Sequence, residues 1–358
     1  MKYDKELIID GKTIGLDYPT YFIADIAANH DGNLNRAIDL IYLAKEAGAD
    51  AAKFQHFTAN SIVSDVGFKV LGDQLSHQSK WGKSVFKVYQ DASVDLSWTP
   101  VLKNACDKAG ITFFTSPYAF DLVDHINPFV PAYKIGSGDI TWTELIKYIA
   151  SKNKPVILAS GASTMDDVHT AVLAATAINA KFALMQCNTN YTGSLENFKF
   201  IQLNVIKSYQ AMYPGMVLGL SDHTPGHATV LGAVALGARV IEKHFTDDSD
   251  RVGPDHAFSM NPQEWKFMVD RVRELELALG NGVKKVEENE LHTAILQRRA
   301  IRLRRDMNKG EVVELKDVEM LRPCPSDGFP PYRIGDVVGK TIRCMKKKGQ
   351  HFTFSDFK

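Results

Sequence analysis

Charge of one sign, cysteine and long apolar runs are all scarce in this sequence. Over 358 residues, 42 Lys and Arg balance 42 Asp and Glu. A neutral chain has no global pull toward nucleic acid or toward an acidic partner. No apolar run approaches the length needed to span a bilayer, which argues against a membrane protein. Residues 1–12 lack the layout of a signal peptide. Only four cysteines occur, Cys106, Cys187, Cys324 and Cys344, and none forms a Cys-x-x-Cys pair. They read as reduced thiols in a cytoplasmic protein, not as a disulfide framework or a zinc site. Low-complexity tracts are missing too.

What is present is alternation, organised around residues 217–259. Two short apolar runs, at 217–220 and at 239–241 with Phe245, flank a Gly/Ala-rich helical stretch at 227–237. Strand, helix, strand of this length is a βαβ unit with parallel strands. Consecutive parallel strands are usually neighbours, so His223 and His244 should stand side by side at one end of a sheet. Upstream, the same pattern predicts strands at 21–26, 51–57, 111–115, 132–135, 156–159 and 182–187. Helices are predicted at 33–47, 85–89, 100–109, 119–125, 142–150, 165–178, 198–212 and 262–279. Residues 1–19 predict a hairpin or arm, and 58–84 a polar insertion serving as lid or loop.

Eight strands alternating with helices over about 260 residues is the size of an α/β protein of the (β/α)8 TIM-barrel class. A doubly wound open sheet competes, but it would gather its ligand at one switch point. Here every strand end carries polar residues, and only a closed barrel brings eight ends to one mouth. After Gly280 a polar linker, 281–297, leads to a β-rich module at 298–358, with short strands predicted at 300–303, 312–313, 337–338 and 341–343. At about 60 residues it is too small for a large core of its own and is expected to lean on a partner surface. The module carries 15 Lys and Arg against 8 Asp and Glu, while the rest carries 27 against 34. This imbalance suits either attraction between an acidic body and a basic tail or a tail that seeks phosphate or carboxylate.

The strand ends set the chemistry. Lys53 and Lys134 stand among Thr115, Ser116, Ser137, Gly138, Ser160, Gly161 and Ser221. Point charges, small hydroxyls and glycine amides suit an anion such as phosphate. A lysine at a barrel strand end also suits a Schiff base, the rival chemistry. His223 and His244 make a half-site for a divalent metal, unless both are structural histidines. Asp25, Asp139, Asp222, Glu242 and Asp255 fall near the mouth. Glu242 and Lys243 must point opposite ways, so at most one of them enters the barrel. Asp222 reads as the orienter of a metal-bound histidine. Asp25 and Asp139 read as acid/base or hydroxyl-binding groups, with helix capping the plainer role.

In chain order, FIADIAANHDG, AKFQ, FFTSPY, YKIGSGD, ILASGAS, LSDHT, LGAVALGARVIEKHFT and GPDHAFSM resemble the sialic acid synthase family. The tail, IRLRRDMNKGEVVELKDVEMLRP…IGDVVGK, resembles the antifreeze-like SAF domain that follows the barrel in that family. The resemblance implies a metal-dependent condensation of phosphoenolpyruvate with an N-acylated hexosamine, giving a nonulosonic acid and phosphate by C–O cleavage. It implies His223 and His244 as ligands of Mn2+ or Mg2+, and, with Asp25, as the catalytic set. Lys53, Thr115, Lys134, Ser137, Ser160, Thr189 and Ser221 would hold phosphoenolpyruvate. Gln55, Asp139, Tyr191, Asp255 and Arg322 would face the sugar. The family forms a domain-swapped homodimer, so Arg322 would come from the other subunit. The implied division is a barrel at 1–280, a linker at 281–297 and the SAF domain at 298–358.

Three departures bear on the acceptor. Asp25 and Asp139 stand where the family usually has Glu. The run at 186–192 lacks the family's His and Pro, and Thr189 takes the place of an Asn, with Asn188 and Asn190 beside it. The acceptor is therefore open between N-acetylmannosamine and a related amino or deoxy sugar. The alternatives are a pyruvate-dependent aldolase on Lys134 or Lys53, and a sugar-phosphate-binding protein without activity.

Overall fold

The computed structural model describes residues 1–71, 78 and 81–357. Two short strands, β1 (Leu7–Ile9) and β2 (Lys12–Ile14), pair antiparallel. Their turn holds Asp10 and Gly11 at φ of 50° and 77°, a region where glycine carries no Cβ penalty. Eight strands follow: β3 (Tyr21–Asp25), β4 (Ala51–His56), β5 (Thr112–Pro117), β6 (Tyr133–Ile135), β7 (Val156–Ala159), β8 (Phe182–Cys187), β9 (Val217–Asp222) and β10 (Val240–His244). They pair in the order β5-β4-β3-β10-β9-β8-β7-β6, all in parallel. The first and last of the eight are thus neighbours, with His244 level with Asp25. β5 and β6 lie side by side at the seam, with no hydrogen-bonded ladder among the described residues. The result is a nearly closed (β/α)8 barrel, as expected, and not an open doubly wound sheet.

Successive side chains on a strand face opposite ways, and this parity positions everything that matters here. Tyr21, Ile23, Ala51, Phe114, Ile157, Met185 and Val240 point inward and pack with Leu7, Ile9 and Ile14 of the hairpin in one buried cluster. The hairpin therefore plugs the amino-terminal end of the barrel. The alternate residues, among them Phe22, Phe54, Phe113, Leu158 and Ile241, face the helices and join Leu40, Ile146, Val172 and Trp265 in the main core. Each such aliphatic or aromatic side chain contributes about 1.5–3 kcal/mol by burial. Gly219 marks a close approach of β9 to β10, because a Cβ there would lie 2.4 Å from the Val240 carbonyl oxygen.

Some sequence expectations shift. The third barrel strand begins one residue later and ends two later than the predicted 111–115, so it takes in Ser116 and Pro117. The stretch at 58–84 contains helices at Ala59–Ile62 and Asp65–Leu71, while 72–77, 79 and 80 lie outside the described residues. The predicted helix at 198–212 is a 3-10 turn, Leu195–Phe200, and a helix, Val205–Met212. Gln202 separates them at φ 52°, where an α-helix cannot continue.

The chain divides into two compact units, Met1–Gly280 and Asn281–Lys358. In the second, helix Leu291–Gln297 precedes β11 (Ala300–Leu303) and β12 (Val318–Leu321), an antiparallel pair. β12 was not expected. The predicted strands at 312–313 and 341–343 reduce to a Val312–Thr341 bridge and an Ile342–Phe357 bridge, and 337–338 follows a 3-10 turn. Ile301, Leu303, Val318, Phe329, Ile342 and Phe352 form a small core within this unit. Among the described residues no helix is long and apolar enough to cross a membrane.

Candidate active site

The carboxyl ends of the strands open into two connected cavities. The inner one, about 40 Å³, is lined by Asp25, Lys53, Ser116, Lys134, Ser137, Cys187, Ser221, His223, Glu242 and His244. Inward parity delivers these side chains. Lys53 Nζ donates to Asp25 Oδ2 at 2.7 Å and lies 3.7 Å from Glu242 Oε1, and Lys134 Nζ donates to the same Glu242 oxygen at 2.9 Å. Gln55 Nε2 also donates to Asp25 Oδ2, at 3.2 Å. Burial works against the Lys53 ammonium, but Asp25 and Glu242 outweigh it and hold the group above its ordinary value. Ser116 Oγ, Glu242 Oε2 and His244 Nδ1 are buried with no hydrogen-bond partner within the protein. Buried polar atoms are rarely left so, and three of them converging on one cavity mark a place for a polar ligand.

The outer cavity, about 370 Å³, shares Gln55, Tyr118, Ser137, Tyr191 and His244 with the inner one. Phe57, Tyr89, Asp139 and Asp255 are among the other residues of its wall. Burial pushes Asp139 from the ordinary 3.8 up to about 6. Asp255 is pushed up to about 6 as well, also by burial, against the pull of the Ala28 amide that it accepts at 3.1 Å. Both carboxyls can exchange a proton near neutral pH.

His223 and His244 do stand together, with ring centroids 5.4 Å apart, and Tyr191 packs 4.3 Å from the His223 ring. The ring of His223 is oriented by its Nδ1, which donates to the Asn188 carbonyl at 2.9 Å. Burial lowers His223, but its interactions with Cys187 and the hydrogen bond it donates to the Asn188 carbonyl turn the net shift upward. Burial, then His223 and Lys53, push His244 well below its ordinary range, so its ring is neutral. Among the described residues no group of three or more His, Cys, Asp or Glu is arranged to hold a metal ion. Two imidazoles, one with an unpartnered buried nitrogen, fit an ion that draws its other ligands from substrate and water.

Of the residues expected at the site, eleven line these cavities: Asp25, Lys53, Gln55, Lys134, Ser137, Asp139, Tyr191, Ser221, His223, His244 and Asp255. Thr115 does not. It faces the helices, where its hydroxyl donates to the Phe54 carbonyl at 3.0 Å and meets His56 Nδ1 at 2.7 Å. Its neighbour Ser116 points inward instead. Ser160 follows the inward Ala159 and so turns outward, its hydroxyl held between Tyr209 and the Met185 carbonyl at 2.8 Å each. Thr189 lines a side cleft with Asn188, Phe200 and Gln202. Arg322 belongs to the second unit, exposed and directly after β12. Asp222 is not a histidine orienter. It lies on the outer face, accepting from Lys243 at 2.6 Å and Thr229 at 2.7 Å.

Tyr118 and Cys187 line the inner cavity with no role in the sequence reading, Glu242 had been placed near the mouth without one, and Ser116 had entered only as one of the small hydroxyls suited to an anion. The period of two held the signal for them. Glu242 precedes His244 by two, and Ser116 and Tyr118 follow the inward Phe114 by two and four.

Comparisons with known proteins agree with this architecture. A family model described as the NeuB family matches residues 40–284, and a SAF-domain model matches 298–358. The chain is 32% identical over 337 residues to an N,N'-diacetyllegionaminic acid synthase of Legionella pneumophila, covering 92% of each protein. It is 32% identical over 344 residues to a pseudaminic acid synthase of Campylobacter jejuni, covering 95% of this chain and 97% of that one. Its structure resembles that of an N-acetylneuraminic acid (sialic acid) synthetase of Leptospira borgpetersenii in complex with citrate, at a TM-score of 0.70 and 27% identity, covering 80% of this chain and 94% of the other. Three similar proteins thus bear three product names, so similarity alone does not select the sugar. By fold, by sequence and by its relatives, the chain belongs to the NeuB family of sialic-type acid synthases and is an enzyme.

Proposed function

We propose that this enzyme condenses phosphoenolpyruvate with an N-acylated hexosamine to form a nonulosonic acid and phosphate. The observation that carries the reading is the division of the mouth. Two ammonium groups, three serine hydroxyls and the carboxylates of Asp25 and Glu242 line its floor, while Asp139, Asp255 and aromatic faces line its opening. Phosphoenolpyruvate places a phosphate and a carboxylate on a small frame, and a compact floor with two ammonium groups and unpartnered hydrogen-bonding atoms suits it. Lys53 and Lys134 offset its charge, and Ser116, Ser137 and Ser221 donate hydrogen bonds. In a cavity poor in water these contacts count for more than in bulk solvent. A hexosamine presents hydroxyls and apolar ring faces, which Gln55, Asp139 and Asp255 on one side and Tyr118 and Tyr191 on the other suit.

In this reading C3 of phosphoenolpyruvate attacks the aldehyde carbon of the open-chain sugar and a C–C bond forms. Water adds at C2, and the C2–O bond breaks so that the bridging oxygen leaves with phosphate. Asp25, held by Lys53 and Gln55, takes the proton of that water. His223 and His244 would hold Mn2+ or Mg2+, which when bound supplies Lewis-acid polarisation of the sugar carbonyl. The ion pairs weigh against a Schiff-base aldolase, because the attacking amine must be neutral and Asp25 and Glu242 keep Lys53 charged. The same reading makes a homodimer the working form, with Arg322 supplied by a second copy. It keeps the cytoplasm as the setting, in line with four free thiols.

The test is phosphate release from phosphoenolpyruvate with Mn2+ across N-acetylmannosamine, its 6-phosphate and 6-deoxy-diamino hexoses. Release with one acceptor is the expected result and names the sugar. Pyruvate trapped covalently by borohydride, or no release with any acceptor, would overturn the reading. Full activity in EDTA would remove the metal from it.

A further inference from the structure

Asp31 follows β3 and His256 follows β10, 225 positions apart, yet His256 Nε2 lies 2.9 Å from Asp31 Oδ1. His256 is wholly buried. Its other nitrogen meets Thr246 Oγ1 at 2.7 Å, so the ring is held at both ends. Gly253 packs so closely on it that a Cβ there would come 2.5 Å from His256 Cδ2. Asp31 also accepts from Arg251 Nη2 at 2.8 Å, and Arg36 Nε lies 3.2 Å from its other oxygen. Arg36 in turn pairs in bidentate fashion with Asp247 and donates to the Asn29 carbonyl at 2.7 Å. A second row of bonds runs on the mouth side. Asn29 Nδ2 donates to the Phe245 carbonyl at 2.9 Å and to Ser259 Oγ at 2.8 Å, and Ser259 Oγ donates to the Asp255 carbonyl at 2.6 Å. These contacts staple the loop after β3 to the loop after β10. At the inner end of the staple is Asp255, directly before His256, with its carboxylate on the Ala28 amide and facing the outer cavity.

We infer that His256 and Asp31 form a positioning pair that sets how tightly the sugar acceptor is held, acting through Asp255. The inference rests on the reading of Asp255 as an acceptor-binding residue. Neither His256 nor Asp31 lines either of the two mouth cavities, so the pair is placed to act through its neighbour. Without their bond the 245–259 loop loses one of its lateral ties to the segment after β3, the one next to Asp255, and the Asp255 carboxylate is held on Ala28 less firmly. Phosphoenolpyruvate binding on the floor, supported by β4, β6 and β9, does not pass through this staple.

The measurement is steady-state kinetics on the full chain for His256→Phe, Asp255→Asn and the double variant, paired with hydrogen exchange of the Ala28 amide in the ligand-free protein. For His256→Phe we expect the KM of the acceptor to rise about tenfold or more, as the loss of two buried hydrogen bonds implies, with the KM of phosphoenolpyruvate within about twofold. The double variant should bind the acceptor no worse than Asp255→Asn alone, to within about twofold, because the two residues act in series. The Ala28 amide should exchange at least about tenfold faster while the β7 amides keep their protection. If His256→Phe does not fold, Arg251→Ala, which removes only an exposed partner of Asp31, should shift the acceptor KM and Ala28 exchange the same way by a smaller factor. Equal rises in both KM values, additive effects in the double variant, or unchanged Ala28 protection would each overturn the pairing. Lack of turnover with any sugar would count against the proposed reaction, and Ala28 exchange would still decide the staple.

Discussion

Glu242 Oε1 lies 2.9 Å from Lys134 Nζ and 3.7 Å from Lys53 Nζ, and all three side chains are almost fully buried. Removing one partner of such a group leaves uncompensated buried charge, which typically costs about 3–5 kcal/mol. Glu242→Gln should therefore lower unfolding stability by about 3 kcal/mol in urea titration. A loss below about 0.5 kcal/mol, the size of an exposed pair, would mean that water reaches the floor freely. Asp139 makes a pH prediction. Its folded-state value is about 6 against an ordinary 3.8, so the folded protein keeps a proton that the unfolded chain releases in between. Its contribution to stability therefore falls as pH rises from about 4 to about 6, by about 1.4 kcal/mol per unit at most. Asp139→Asn lacks this slope. Relative to wild type the variant should gain stability across that window, and parallel profiles for the two proteins would contradict the burial of this carboxyl.

At the scale of the element, strand parity decides which hydroxyl meets the ligand. On β5, Ser116 faces the cavity with its oxygen unpartnered, while Thr115 faces His56. A hydrogen bond to a charged group is worth about 1.5–3 kcal/mol, and a neutral one about 1 kcal/mol. Ser116→Ala should raise the KM of phosphoenolpyruvate by about tenfold or more with little change in stability. Thr115→Val should cost about 1 kcal/mol of stability and leave that KM within about twofold. The opposite pattern would mean that β5 sits one residue out of register. The family resemblance points to Thr115 as the phosphoenolpyruvate contact, while the residues alone offered Thr115 and Ser116 together. A slip of one residue exchanges the two faces of a strand, and nothing local to the FFTSPY run distinguishes the two registers.

At the scale of the whole molecule, the barrel has its own interior, its hairpin plug and its shell of helices, all before Gly280. The C-terminal unit has a separate core. A chain ending at Gln297 should keep a cooperative unfolding transition, because the barrel's apolar clusters are intact. It should lose most of its phosphoenolpyruvate-dependent activity if Arg322 acts at the sugar. A truncated enzyme with full turnover would take Arg322 out of the mechanism.

The alternation of eight strands with helices, the pairing of His223 with His244, and the lysines and serines at the strand ends were all legible along the chain. These are properties of short segments and of their order along the chain. A period of two or 3.6 residues, a cap or a glycine stop is written within about ten neighbouring positions. Long-range packing alone places Glu242 between Lys53 and Lys134, Asp222 on the outer face, Ser160 and Thr115 away from the mouth, and Asp31 against His256. Each of these depends on the register between strands or on contacts between residues far apart in sequence. The closure of β3 against β10 sets them together, and no single segment encodes that closure.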